Sequence, residues 1–250
     1  MIPLSDERVG TRPAVVTIAL IVACVAVYLF VQPTPGRETA EDVEFDFRHA
    51  AIPYELTHGR PLTLCQVAQS AAPSQQAQVC AGPSGELAFA PGKPVYVSVL
   101  ASLFLHGGII HIAGNLLFLW VFGRRVEDRL GRVAFAGFYF AAGVVAAAAH
   151  VLAAPNSTVA FIGASGAIAG VMGAYLVWFP HARINTLFFV FVILWFRVQA
   201  RWILLAWFVL QFFTSPNSGV AWVAHVGGFL FGMAVAWLLR PRAPTRSSAY

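Results

Sequence analysis

Val159-Ala-Phe-Ile-Gly163-Ala164-Ser165-Gly166-Ala-Ile-Ala-Gly170-Val-Met-Gly173-Ala-Tyr-Leu-Val-Trp-Phe179, closed by Pro180, decides how this chain is read. An apolar, uncharged run of this kind reads as a membrane helix. From Gly163 to Trp178 it spans about 24 Å at ~1.5 Å per residue, less than a hydrocarbon core of ~30 Å. A helix that ends at Pro180 near one surface therefore starts below the other. Ser165, flanked by Gly163, Ala164 and Gly166, is then sunk in the membrane with little bulk around its hydroxyl. The positive end of the helix dipole there favours developing negative charge. Gly166, Gly170 and Ala174, four apart, also read as a face for close helix packing. Chemistry at Ser165 requires a base from elsewhere in the chain.

The rest of the sequence has the same character. The 250 residues are 58% hydrophobic and 11% charged, with mean hydropathy +0.71. The apolar runs are continuous rather than alternating. The expected fold class is an all-α membrane protein, not a barrel, with the lipid bilayer as its surroundings. The net charge of +5 first suggests nucleic acid, but the placement of the charges points to membrane orientation instead.

Residues 1–13 are polar. Residues 14–31 form a first span, read as a retained helix because a signal peptide's short apolar region and small-residue cleavage site are missing. Residues 32–94 form the one long polar segment, holding seven of the eleven acidic residues and Cys65 and Cys80. If that segment lies outside the cytoplasm, these two cysteines could form a disulfide. Within 95–239, Gly107-Gly108 divides an interfacial piece, 95–105, from a second span with its core at 109–122. A tight charged turn is expected at 123–132, a third span at 133–152, and the Ser165 helix as the fourth. Between His181 and Phe213, Arg197 and Arg201 split two apolar runs. The first, 184–196, is expected at the interface and the second, from about Gln199, as a short fifth span. A sixth span covers 220–239, and 240–250 form a tail.

With six spans, twelve of the sixteen basic residues fall on one side: at the N-terminus, at 123–132, at 180–201 and in the tail. The other four, Arg37, Arg48, Arg60 and Lys93, lie in the long loop. Positive segments stay in the cytoplasm. The expectation is a multi-pass cell-membrane protein with both termini cytoplasmic and Ser165 opening toward the extracytoplasmic side.

Polar residues inside spans mark function by default. His111 and Asn115 are four apart, on one face of the second span. His225 lies in the sixth, where Gly228 and Gly232 repeat the four-residue spacing of Gly166 and Gly170. Two small faces let the fourth and sixth backbones approach, which brings His225 near Ser165. The two residues share a depth only if an odd number of spans separates them. A histidine can take the serine proton, and Asn115, His111 and the Ser165 backbone N–H could receive the oxyanion that attack on an amide creates. His150 and His181 are read as packing residues.

Gly163-Ala-Ser165-Gly166, Ala224-His225-Val-Gly-Gly228 with Gly232, and His106-Gly-Gly-Ile-Ile-His111-Ile-Ala-Gly-Asn115 resemble the motifs of the rhomboid intramembrane serine proteases. The run from Phe122 to Gly131 is similar to that family's turn after the second helix, and Ala51-Ile-Pro-Tyr-Glu-Leu to a weaker bacterial pattern. The resemblance covers residues 95–239. It implies a six-helix rhomboid-like bundle with a long first extracytoplasmic loop. It also implies a Ser165–His225 dyad without a third acidic member, an oxyanion site from His111, Asn115 and the Ser165 backbone, and cleavage of other proteins' transmembrane segments. No metal or cofactor is called for. Two features depart from the family pattern. Val97 and Ser98 stand where some members have Trp-Arg, and Ala169 stands where some place an aromatic residue against the histidine, so His225 must be positioned by other neighbours. The competing readings are a non-catalytic rhomboid-like protein that binds transmembrane helices and a small transporter. The presence of both Ser165 and His225 argues against the first. The lack of an internal repeat and of acidic residues in the spans argues against the second.

Overall fold

A computed structural model describes residues 2–7, 12–33, 39–71, 76–189, 193–214 and 221–240. Arg8, Arg37, Arg242 and Arg246, used above for orientation, lie outside these residues, as does residue 220 at the start of the expected sixth span.

The chain opens with strand β1 (Ile2–Asp6) and helix α1 (Val15–Phe30). Four short helices follow in the long loop: α2 (Ala40–His49), α3 (Pro53–His58), α4 (Leu64–Ala71) and α5 (Gln76–Ala81). Then come α6 (Ser98–Ser102), α7 (Ile109–Phe118), a π-helical turn at Leu119–Gly123, α8 (Arg124–Leu130) and α9 (Arg132–Ala153). Helix α10 (Ser165–Trp178) leads into strands β2 (Arg183–Phe189) and β3 (Ile193–Gln199), then α11 (Ala200–Gln211) and α12 (Trp222–Leu238). Two helices, Ile109–Leu130 and Arg132–Ala153, are long and apolar enough to cross a membrane, and four shorter apolar helices accompany them. Ile110, Val133, Leu152 and Trp237 are exposed on the outside of these helices. That suits lipid and not water.

Helix α10 is the axis of the molecule. All residues from Gly166 to Tyr175 are buried, as expected of a helix apolar on every side. Its small residues make this possible. A Cβ at Gly166 would meet Ala146 of α9, and one at Gly170 would meet Ala142. On the other flank, a Cβ at Gly228 of α12 would run into the Gly166 carbonyl oxygen, and one at Gly232 into that of Gly170. The constant pairing shows α10 and α12 running parallel at backbone contact. The Trp178 indole N–H closes the same seam on the Ala236 carbonyl at 2.9 Å.

The charged stretch at 123–132 is not a tight turn. The helix runs on through Leu130, and the chain turns only at Gly131, whose φ of +78° suits glycine. The reason is Glu127. Its buried carboxylate accepts the backbone N–H groups of Val16 and Thr17 at 2.9 and 2.8 Å and the Thr17 hydroxyl at 2.8 Å. Glu127 thus supplies α1 with the N-terminal cap that its own sequence lacks.

The second difference is a sheet. The apolar run 184–196, expected to lie at the interface, contributes most of two paired antiparallel strands, β2 and β3, and β1 adds to their edge in the order β1-β2-β3. The fold is therefore mostly helical rather than all-α. Ile184 and Thr186 are fully buried while Asn185 between them is not, the period-two pattern of a strand. Asp6 at the end of β1 pairs with Arg125 at 3.0 Å and accepts the Tyr175 hydroxyl. This ties the sheet to α8 and α10.

The long loop is held by its own contacts. Cys65 and Cys80 are joined by a disulfide. Lys93 pairs with Glu55 at 2.6 Å, both side chains buried, and donates to the Phe47 carbonyl at 2.8 Å. Glu55 in turn accepts the Leu62 N–H at 2.9 Å. Of the 95–105 stretch only Ser98–Ser102 is α-helical, with Tyr96, Val97 and Leu100 exposed.

Candidate active site

Ser165 is the first residue of α10 and His225 lies in the first turn of α12. Because these helices run parallel and touch through glycines, the two side chains meet: Ser165 Oγ lies 2.7 Å from His225 Nε2. The other imidazole nitrogen, Nδ1, lies 2.7 Å from Gln211 Oε1. A hydroxyl hydrogen-bonded to a neutral imidazole is the arrangement from which base-assisted nucleophilic attack begins.

Next to the dyad is a group of donors. The chain reaches α10 through Gly163, whose N–H donates to the Ser102 carbonyl at 2.8 Å and whose φ is +116°. Only glycine suits that backbone. It also suits the space, because a Cβ there would lie 2.6 Å from His111 Nε2 and 3.6 Å from Asn115 Nδ2. Both side chains of α7 therefore face the backbone two residues before Ser165. The Gly107 N–H points at His111 Nδ1, 3.4 Å away. That leaves Nε2 as the protonated nitrogen, a donor toward Gly163. Asn115 is buried, and its Nδ2 has no hydrogen-bond partner among the described residues. The N–H groups that open an α-helix have no intrahelical carbonyl to bond, and Ser165 is the first residue of α10.

The structure thus gathers Ser165, His225, His111 and Asn115 at one end of the bundle. Gly163, Gly166, Gly170, Gly228 and Gly232 lie behind them as the close-approach positions. Cys65 and Cys80 are in the loop, apart from this group. His150 packs edge-on against Phe161 with ring centroids 5.0 Å apart. His181 is exposed beyond the far end of α10.

Two neighbours of His225 went unnoticed in the sequence. Ala169 is fully buried and too small to hold the imidazole. From α11, Trp207 places its ring 5.7 Å from that of His225, tilted by 40°. Gln211, also buried, makes the bond to Nδ1. Gln211 had a signal of its own: it is an amide within the apolar run from Trp202 to Phe213, the same kind of feature that singles out Asn115.

Comparison with known proteins agrees with this picture. Residues 93–242 match the Rhomboid domain family. Over 152 residues the chain is 28% identical to Rhomboid protein 1, mitochondrial, of Saccharomyces cerevisiae, a match covering 57% of this chain and 42% of that protein. It is 41% identical over 78 residues to Rhomboid protease GluP of Bacillus subtilis, covering 31% of this chain and 15% of that one. It is 29% identical over 154 residues to Presenilin-associated rhomboid-like protein, mitochondrial, of Bos taurus, covering 57% and 38%. In each case the match spans less than half of the relative's length. The family match takes in more than half of the present chain and every residue of the Ser165 cluster, and the chain belongs to the rhomboid family.

Proposed function

We propose that this protein is an intramembrane serine endopeptidase that cleaves transmembrane segments of other membrane proteins. The observation that carries the reading is the 2.7 Å contact between Ser165 Oγ and His225 Nε2, beside an Asn115 Nδ2 that has no partner among the described residues. His225 removes the hydroxyl proton as Ser165 Oγ attacks the scissile carbonyl carbon. The tetrahedral oxyanion is received by Asn115 Nδ2–H, His111 Nε2–H and the Ser165 backbone N–H. His225 returns its proton to the departing amine, leaving an ester on Ser165. A water then gives a proton to His225 and attacks the ester, which releases the new carboxyl end and restores the serine. The test is cleavage of a single-span model substrate in detergent by the wild type beside Ser165→Ala. Cleavage by both, or by neither, overturns the reading.

The buried, unpaired amide of Asn115 predicts a partial defect. Asn115→Ala lowers turnover roughly 10-fold to 10³-fold, as expected for one oxyanion donor among several, with a smaller change in apparent substrate affinity. Initial rates over a range of substrate concentrations measure both. An unchanged rate removes Asn115 from the mechanism.

The topology belongs to the same proposal. Six spans put both termini and the β-sheet in the cytoplasm, with the disulfide-bearing loop and the Ser165 end outside. Arg197 is an exposed residue of β3. A cysteine placed there should resist an impermeant thiol reagent in sealed cells and react after the membrane is opened. The parent is a silent background, because Cys24 is fully buried and the other two cysteines are bonded. Labelling in sealed cells rejects this topology.

A further inference from the structure

Three side chains in a row end on the proposed nucleophile. The Gln211 Nε2–H donates to the Trp207 carbonyl one turn earlier on α11, at 3.0 Å. That bond fixes which way the amide faces and leaves Oε1 toward His225 Nδ1 at 2.7 Å. A carbonyl oxygen only accepts, so Nδ1 carries the proton and the lone pair of Nε2 faces Ser165 Oγ at 2.7 Å. This is the tautomer that a general base needs. A glutamine does it without charge, which spares a buried carboxylate in the bundle.

We infer that Gln211 is a positioning residue, holding the His225 imidazole in its base-competent tautomer and orientation in place of an acidic third member. The inference rests on the protease reading above and deepens it. The titratable groups that face His225 are His111 from α7 and His150 from α9. Helices α10 and α12 carry no charged residue, and Arg132 of α9 and Arg201 of α11 sit at the far ends of their helices. Among the described residues, the group that orients Nδ1 is therefore the Gln211 amide.

The experiment compares Gln211→Met, similar in size but without the acceptor, with Gln211→Glu, which keeps it. Each is assayed for substrate cleavage and for the rate at which a fluorophosphonate labels Ser165. Thermal melting in detergent checks that each is folded. Orienting partners of metal-bound imidazoles are worth about 10-fold to 100-fold, and a loss of the same order is expected for this imidazole. Gln211→Met should lose that much in kcat and in labelling rate, with KM little changed. Gln211→Glu should keep most of the activity and move the acid limb of its pH–rate profile to higher pH, because a carboxylate favours the imidazolium. Wild-type rates in a folded Gln211→Met overturn the inference, as does equal loss in a folded Gln211→Glu. If Gln211→Met does not fold, the Gln211→Glu profile decides: an unmoved acid limb is the negative result. If the wild type cleaves no substrate but is labelled at Ser165, the protease reading fails and the labelling rates still decide the role of Gln211. A wild type that neither cleaves nor is labelled overturns both.

Discussion

Ser165→Ala and His225→Ala should each abolish the proposed proteolysis, by roughly 10⁴-fold or more, and leave the protein folded in the membrane. Each removes one partner of the 2.7 Å contact. Without its base the hydroxyl stays protonated and is a poor nucleophile. Without the hydroxyl, the imidazole has only water to activate. The two act as one unit, so the double variant should be no slower than either single one. Neither change opens a large core cavity, because both side chains are only half-buried. Cleavage assays on the three variants, with melting curves as a folding control, check this. Near-normal turnover in either single variant contradicts the mechanism.

Gly232→Val should nearly silence the protein although it lies far from the reacting groups. A Cβ at Gly232 meets the Gly170 carbonyl oxygen, carbon and Cα. These are backbone atoms within a buried helix and cannot swing aside as a flexible side chain would. Helix α12 must move away from α10, and His225 moves with it. A displacement of about 1 Å between reacting groups is enough to cost roughly 10²-fold, and overpacking a dense seam destabilises by about 1–3 kcal/mol. Leu230 is on the outer side of the same helix, so Leu230→Val serves as the control and should stay close to wild type. Full activity in Gly232→Val means that the seam does not set the dyad's geometry.

The seam and the site were legible in the sequence for physical reasons. Gly166 and Gly170 on one helix and Gly228 and Gly232 on the other share a spacing that backbone contact requires. A polar atom in an apolar run stands out, which is how Ser165, His111, Asn115 and His225 were found. Gln211 met the same criterion, but it sits at the end of a run whose role in the fold was ambiguous. The place of α11 beside His225 follows from its packing against α12, which no spacing records. The sheet was hidden because the run 184–196 is mostly apolar and its two polar residues, Asn185 and Thr186, are adjacent, so its alternation is visible only once burial is known. The pairing of β1 with β2 joins residues as distant in the chain as Ile2 and Leu187, and no local pattern announces it. The run from Arg124 to Leu130 looked like a turn because it is charged. Glu127 is there to cap a different helix.

That long-range pairing bears on the order in which the chain assembles. Ile2 is matched to Leu187 and Asp6 to Ile184, so β1 is synthesised well before the strand it pairs with. Until then its backbone N–H and C=O groups can be satisfied only by water or by a passing stranger. Contacts this distant in sequence form late, because the entropy of closing so long a loop comes before any reward. Closure of the sheet would then be a late, checkable step in biogenesis. It also docks Asp6 onto Arg125 and Tyr175, so it locks α8 and α10 in the same event. A reporter fused ahead of Ile2 would hinder this step more than one at the other terminus.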